Sequence, residues 1–290
     1  MKHQLFFRRI LPAFLLAMMP TFALADISGI VNAFNSMNGN RGFVFRMYND
    51  EYFAIPPGAG EMRLLNVAGN TMPSTSAYNA NTAGTIDGRG YFQTFCVSPE
   101  ITMIANNETR GTLNYDGTRH TLTTETAANL YRGETLTLGA AFLYKQFASG
   151  ALTYDYAGTN ASRTSDAIDL QNMIWYLQGK PIVGGGIIAN NQYYDYLLRE
   201  LSGYNMYAAY DLTSDYNGLM GDYTVFVMNT LVENPLARTP DGQASQDVLY
   251  IVKNGGGDDI PEPASLLLWV LGASGAFGVT VRRRLMKKNA

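Results

Sequence analysis

The chain is predicted to be an α+β protein: strands from its N- and C-terminal parts make a sheet or barrel-like body, and an inserted helical section packs at one end. Three observations carry this. Aromatic and β-branched runs such as Gly90–Ile104 and Tyr223–Val232 come early and late in the chain. Segments with helical period, Leu138–Ala148 and Ser165–Gly179, lie between them, and strands do not alternate one-for-one with helices as βαβ units require. No repeat of fixed period divides the chain.

The elements follow in order. Asp26–Asn40 is an Asn-rich lead-in. Gly42–Ile55 alternates as a strand or hairpin turning near Asn49–Asp50, and Pro56, Pro57 and Gly58 end it. Met62–Ala68 is a second strand, and Gly69–Gly84 is a polar surface loop. Gly90–Ile104 is a strand broken near Pro99. Leu113–Thr123 is another, with Asp116–Gly117 as its turn, and Glu125–Tyr131 is a helical turn. After the helix Leu138–Ala148 comes a polar connection running to Arg163. Asn190–Tyr210 reads as a long helix with Tyr194, Leu197, Leu198 and Leu201 on one side. Tyr223–Val232 and Asp247–Lys253 are strands that close the domain.

The helix Ser165–Gly179 organises the rest. Ser165 or Asp166 offers an N-cap oxygen, and Gly179 suits the left-handed residue that ends a helix. Ala167, Leu170, Ile174 and Leu177 share one apolar face, and Gln171 points to the same side. Burying a primary amide is costly unless it is hydrogen-bonded, or unless it is no longer an amide.

Of 290 residues, 47% are hydrophobic and 16% charged, enough apolar material for a sizeable core. The formal charge of −3 hides an asymmetry. Eight of the 21 basic residues lie at the two ends, leaving 13 against 24 acidic ones. So acidic a body excludes nucleic-acid binding, which needs Lys and Arg against phosphate. Cys96 is the only cysteine, so no intramolecular disulfide forms. His120 is the only histidine outside the first 25 residues.

Both ends carry export signals. Lys2, Arg8 and Arg9 precede the apolar run Ile10–Met19, and Ala23-Leu24-Ala25 is a cleavage site for signal peptidase. Residues 1–25 are therefore a signal peptide, 26–254 the exported domain and 255–260 a Gly/Asp linker. Pro261-Glu262-Pro263 then precedes an uncharged run, Ala264–Val281, which is about 27 Å long as a helix and just able to cross a bilayer core. Arg282, Arg283, Arg284, Lys287 and Lys288 form a basic tail that stays on the cytoplasmic side. Motif, span and basic tail in this order resemble the PEP-CTERM sorting signal of Gram-negative bacteria. The resemblance implies recognition by an exosortase, cleavage near Pro261–Pro263, transient anchoring in the inner membrane through 264–281, and delivery to the cell surface or extracellular matrix.

Two further segments carry a second resemblance. Phe95-Cys96-Val97-Ser98-Pro99 and Asp169-Leu170-Gln171-Asn172-Met173-Ile174-Trp175 resemble the thioester domains of bacterial surface proteins. There the Cys of an aromatic strand bonds to the Gln of a TQxA-like helix. Cys96 and Gln171 match those positions, and Ile174 and Trp175 match the hydrophobic pair that follows. Leu170 stands where Thr is commoner, and Met173 where Ala is. The resemblance implies a Cys96–Gln171 thioester that acylates amines on a partner; Phe95, Trp175 and Tyr176 are either walls that keep water from it or ordinary core aromatics. Such a protein is a covalent adhesin, not an enzyme, and needs no cofactor or metal. The alternative is a non-covalent structural protein of biofilm or extracellular polysaccharide, sorted in the same way.

Other constellations carry less. Cys96 with His120 does not define a cysteine hydrolase, because pairing does not follow from sequence separation. Asp155, Asp166 and Asp169 lack the spacing of a Ca²⁺ loop, and Gly184-Gly185-Gly186 lacks the Lys-Ser/Thr of a phosphate cradle.

Overall fold

Phe43, Phe45 and Met47 are fully buried on one face of a strand; on the other face Arg46 is exposed and Val44 is covered. That two-residue period is the mark of a strand with distinct faces. The computed structural model describes residues 29–40, 42–49, 60–97, 99, 108–113, 135–157, 161–182, 188–210, 217–232, 243–244 and 247–254. The chain divides into two compact units, 1–255 and 256–290, and the second lies outside the described residues.

The strands are β1 (Phe43–Asn49), β2 (Met62–Asn66), β3 (Ala83–Ile86), β4 (Arg89–Thr94), β5 (Glu108–Leu113), β6 (Tyr223–Val232), β7 (Gln243–Ala244) and β8 (Val248–Lys253). The helices are α1 (29–35), α2 (Met37–Asn40), α3 (Leu138–Ala148), α4 (Ala161–Leu177), α5 (Gln192–Glu200) and α6 (Asn217–Met220). The sheet runs β3-β4-β2-β1-β5-β6-β7, and β8 also pairs with β6. Its ladders are all antiparallel.

The barrel-like body expected from the sequence is corrected by this topology. The protein is a single antiparallel sheet with a few helices, not a closed barrel. Among the described residues, the segment that follows β4 directly joins β8 at an isolated bridge, Cys96 to Val248. Two backbone bonds make that bridge, Val97 N to Asp247 O at 3.0 Å and Leu249 N to Phe95 O at 3.3 Å. Pro99, with no N–H to donate, stands just beyond it.

Aromatic rings fill one face of the sheet. Phe43 lies 5.1 Å from Phe45 and 5.6 Å from Phe92, Phe92 lies 5.4 Å from Tyr250, and Phe34 of α1 covers Tyr250 at 5.1 Å. Such pairs add roughly 0.5–1.5 kcal/mol beyond burial. Asn35 ties α1 to β5, its Nδ2 donating to Leu113 O at 3.0 Å and its Oδ1 accepting from Leu113 N at 2.8 Å.

Several local readings shift. The loop expected over Gly69–Gly84 runs into β3, which turns into β4 through Asp87 (φ 51) and Gly88 (φ 72). Two successive positive-φ residues are the two-residue hairpin turn, and Asp-Gly supplies it. β5 precedes the strand expected at Leu113–Thr123, whose remainder, like Glu125–Tyr131, lies outside the described residues. α5 is nine residues long, not the expected helix over Asn190–Tyr210. Asn191 caps it, accepting from Tyr193 N at 3.0 Å. The buried face carries Tyr193, Leu197 and Leu201, and Leu198 is 48% exposed.

Gly42 has φ +69, and a Cβ there would sit 2.1 Å from the Gly111 carbonyl oxygen. Strand β5 passes too close for any side chain. Gly42→Ala is expected to cost about 2–5 kcal/mol, from left-handed strain and overpacking against rigid backbone together, read from urea denaturation.

Candidate functional site

Helix α4 begins four residues earlier than the sequence predicts, so Ser165 and Asp166 sit inside it and are not its N-cap. Asp166 holds the preceding segment, its Oδ2 accepting from Asp155 N at 2.7 Å and its Oδ1 from Gln192 Nε2 at 2.7 Å. The other end follows the prediction. Gly179 has φ +67, its N–H donates to Tyr176 O at 2.9 Å, and Lys180 N–H donates to Trp175 O at 2.8 Å. These are the two bonds of a Schellman close.

From Leu170 to Trp175 every residue of α4 is buried, and Gln171 is 0% exposed. The amide on the apolar face is real, and it is bonded at both ends. Gln171 Nε2 donates to Cys96 O at 2.7 Å, and Gln171 Oε1 accepts from Cys96 N at 3.0 Å, across 75 residues of chain. The strand geometry explains why those groups are free to pair. Cys96 faces Val248 at a non-hydrogen-bonded position, where Val97 and Phe95 make the bonds to β8. The N–H and C=O of Cys96 therefore point away from β8, toward α4.

Cys96 is a free, fully buried thiol whose Sγ lies 3.4 Å from Met62 Sδ. Burial pushes its pKa well above the ordinary thiol value, and the negative charge of Asp247 adds to the rise. Asp247 immediately precedes β8, and its Oδ1 accepts from Thr230 N at 3.2 Å. Phe95 is fully buried, edge-on to Phe147 at 4.9 Å, and Trp175 is 1% exposed. Tyr176, expected as a third wall, is only half-buried and packs against Tyr194 and Tyr207 at 6.3 and 6.1 Å.

A buried ion pair anchors the same helix. Arg163 Nε and Nη2 reach Glu61 Oε2 and Oε1 at 3.0 and 2.6 Å. Nη2 also donates to Gln93 Oε1 at 3.0 Å, and Nη1 donates to the Tyr156 carbonyl. Tyr154 Oη donates to Glu61 Oε2 at 2.6 Å. The sequence reading missed this pair by placing Arg163 in a polar connection. The signal was present: Arg163, Ala167 and Leu170 stand at i, i+4 and i+7, so the apolar face extends back to Arg163.

His120 and Gly184–Gly186 lie outside the described residues, as do Pro261–Pro263, 264–281 and Arg282–Arg284. Among the described residues no group of three or more His, Cys, Asp or Glu is arranged to hold a metal ion, and no helix is long and apolar enough to cross a membrane.

Residues 259–284 match the PEP-CTERM protein-sorting motif. This PEP-CTERM signal spans Pro261, Glu262 and Pro263 at its start and Arg282, Arg283 and Arg284 at its end. It makes an exosortase the processing partner and indicates export with membrane-associated sorting to a surface or extracellular location. No curated protein and no solved structure matches the chain.

Proposed function

We propose that this PEP-CTERM protein forms an internal thioester between Cys96 and Gln171 and uses it to acylate amines on a partner surface, as a covalent adhesin. The observation that carries the reading is the two-point hold of the Gln171 carboxamide on Cys96, with both residues fully buried. The thiol sulfur attacks the Gln171 carbonyl carbon. The thiolate makes the S–C bond, the C–N bond breaks, and nitrogen leaves as ammonia carrying a proton from solvent that balances the one the thiol gave up. A partner amine later adds at that carbon, making an amide and returning a thiol to Cys96. The dry surroundings suit a neutral thioester and keep water from hydrolysing it.

A second reading is favoured by a specific observation. The Asn35 carboxamide pairs with the Leu113 backbone in the same two-point manner, with no adjacent thiol in the sequence to react. On that reading Gln171 only braces the fold of a non-covalent structural protein of an extracellular matrix. Intact mass separates the two. The exported protein is expected to weigh one ammonia less than its sequence, Cys96→Ala to weigh the full amount, and methylamine to add at Gln171. A wild type of full mass with a titratable thiol would establish the bracing role instead. Because burial and Asp247 hold the thiol pKa high, the thiolate fraction rises about tenfold per pH unit through neutrality. Ammonia loss is expected to accelerate with it, measured as initial rate of mass change against pH.

A further inference from the structure

We propose that the Glu61–Arg163 ion pair is the positioning device of the Cys96–Gln171 site, an inference that rests on the thioester reading. Apolar packing sets the buried face of α4 but carries no directional bond that pins its exact height. Leu170, Met173, Ile174 and Trp175 are all buried and surround Gln171 on the helix, and burial has no direction. A slip of one residue moves a helix about 1.5 Å along its axis and turns it by about 100°. That would take the carboxamide off Cys96, so the site needs contacts that set both the height and the rotation of the helix.

The ion pair supplies the missing direction. Arg163 lies about two turns before Gln171 on α4. Its planar fork makes two bonds to Glu61 and one to Gln93, a geometry that a shifted or rotated helix cannot reproduce. The residues it grips lie on the segments that surround the thiol. Glu61 is followed by Met62, whose sulfur touches Cys96 Sγ at 3.4 Å, and Gln93 is on the strand that leads into Cys96. Tyr154 donates to Glu61, and the Tyr156 carbonyl accepts from Arg163. Both charges are buried, Arg163 at 5% and Glu61 at 0% exposure, so solvent does not loosen them. Buried ion pairs contribute little net stability relative to apolar isosteres, which leaves register as the purpose of this one. Arg163 and Glu61 are positioning residues and take no part in bond making.

The test uses Glu61→Leu/Arg163→Met, which replaces both charges with apolar groups and so leaves no unpaired buried charge behind, at the cost of the Tyr154 and Gln93 bonds to the pair. Two measurements are made beside far-UV circular dichroism and urea unfolding as controls of the fold. In a Cys96→Ala background no thioester forms, yet Gln171 still meets the backbone of residue 96, so hydrogen exchange of its side-chain amide reports placement directly. The folded double variant is expected to lose that protection by at least about tenfold, and Arg163→Lys, which keeps charge without the fork, to fall between. With Cys96 present, ammonia loss in the double variant is expected to slow by a similar factor. A folded double variant with wild-type amide protection, or with wild-type ammonia loss, overturns the proposal. So does a double variant too unstable to fold beside an Arg163→Lys that keeps full protection. Full mass in the unmodified protein, with Gln171 protection that depends on the ion pair, sinks the thioester alone and leaves the positioning role standing.

Discussion

Glu61→Ala is expected to lower unfolding free energy by about 3–5 kcal/mol, the range for removing one partner of a buried ion pair. The reason is what remains. Arg163 cannot shed its proton, and at 5% exposure it would keep its charge away from water. Two of its charge-assisted bonds, at 3.0 and 2.6 Å, would disappear, and Tyr154 would lose its acceptor at 2.6 Å. Equilibrium urea unfolding of the single variant checks the size of the loss. The double apolar variant should recover most of it, and a single-variant loss under about 1 kcal/mol would show that water reaches Arg163.

Trp175→Ala is expected to cost a similar amount, about 3–5 kcal/mol, because it empties a large volume in a wall of packed neighbours. Trp175 is 1% exposed, on the turn of α4 that follows Gln171. The cavity would border the helix that carries Gln171, so on the thioester reading the same variant should lose its ammonia deficit to hydrolysis faster on storage. Trp175→Phe should cost less than half as much. The indole Nε1 is buried with no hydrogen-bond partner, and removing an orphan donor returns part of what the lost volume takes away. Thermal unfolding of the two variants side by side reads the difference, and equal losses would mean that the indole N–H is satisfied in solution.

Much of the local structure is legible in single segments. Leu138–Ala148 and Tyr223–Val232 are elements with the bounds that their periodicity sets, because each pattern is long and uninterrupted. Gly179 ends its helix as expected, since only a residue tolerant of positive φ closes both Schellman bonds. Misread elements are those where short polar chemistry outweighs hydrophobic period. The Asn191 cap starts α5 later than its apolar run suggests, and the Asp87–Gly88 turn makes a hairpin from a Thr- and Gly-containing run. Arg163 was misread for the opposite reason: a charged residue occupies a core position because its partner, Glu61, stands 102 residues away in sequence.

The sequence by itself determined the PEP-CTERM sorting motif, the amphipathic phase that buries Gln171, and the singular Cys96. Each is written in consecutive residues or in composition. The tertiary structure decided that the strands form one open antiparallel sheet instead of a barrel, with a lone Cys96–Val248 bridge where the chain leaves β4. It also decided that the backbone of Cys96, left unpaired on the side away from β8, is met by the Gln171 carboxamide at 2.7 and 3.0 Å. Which peptide groups remain free depends on strand register, and register depends on contacts between segments far apart in the chain.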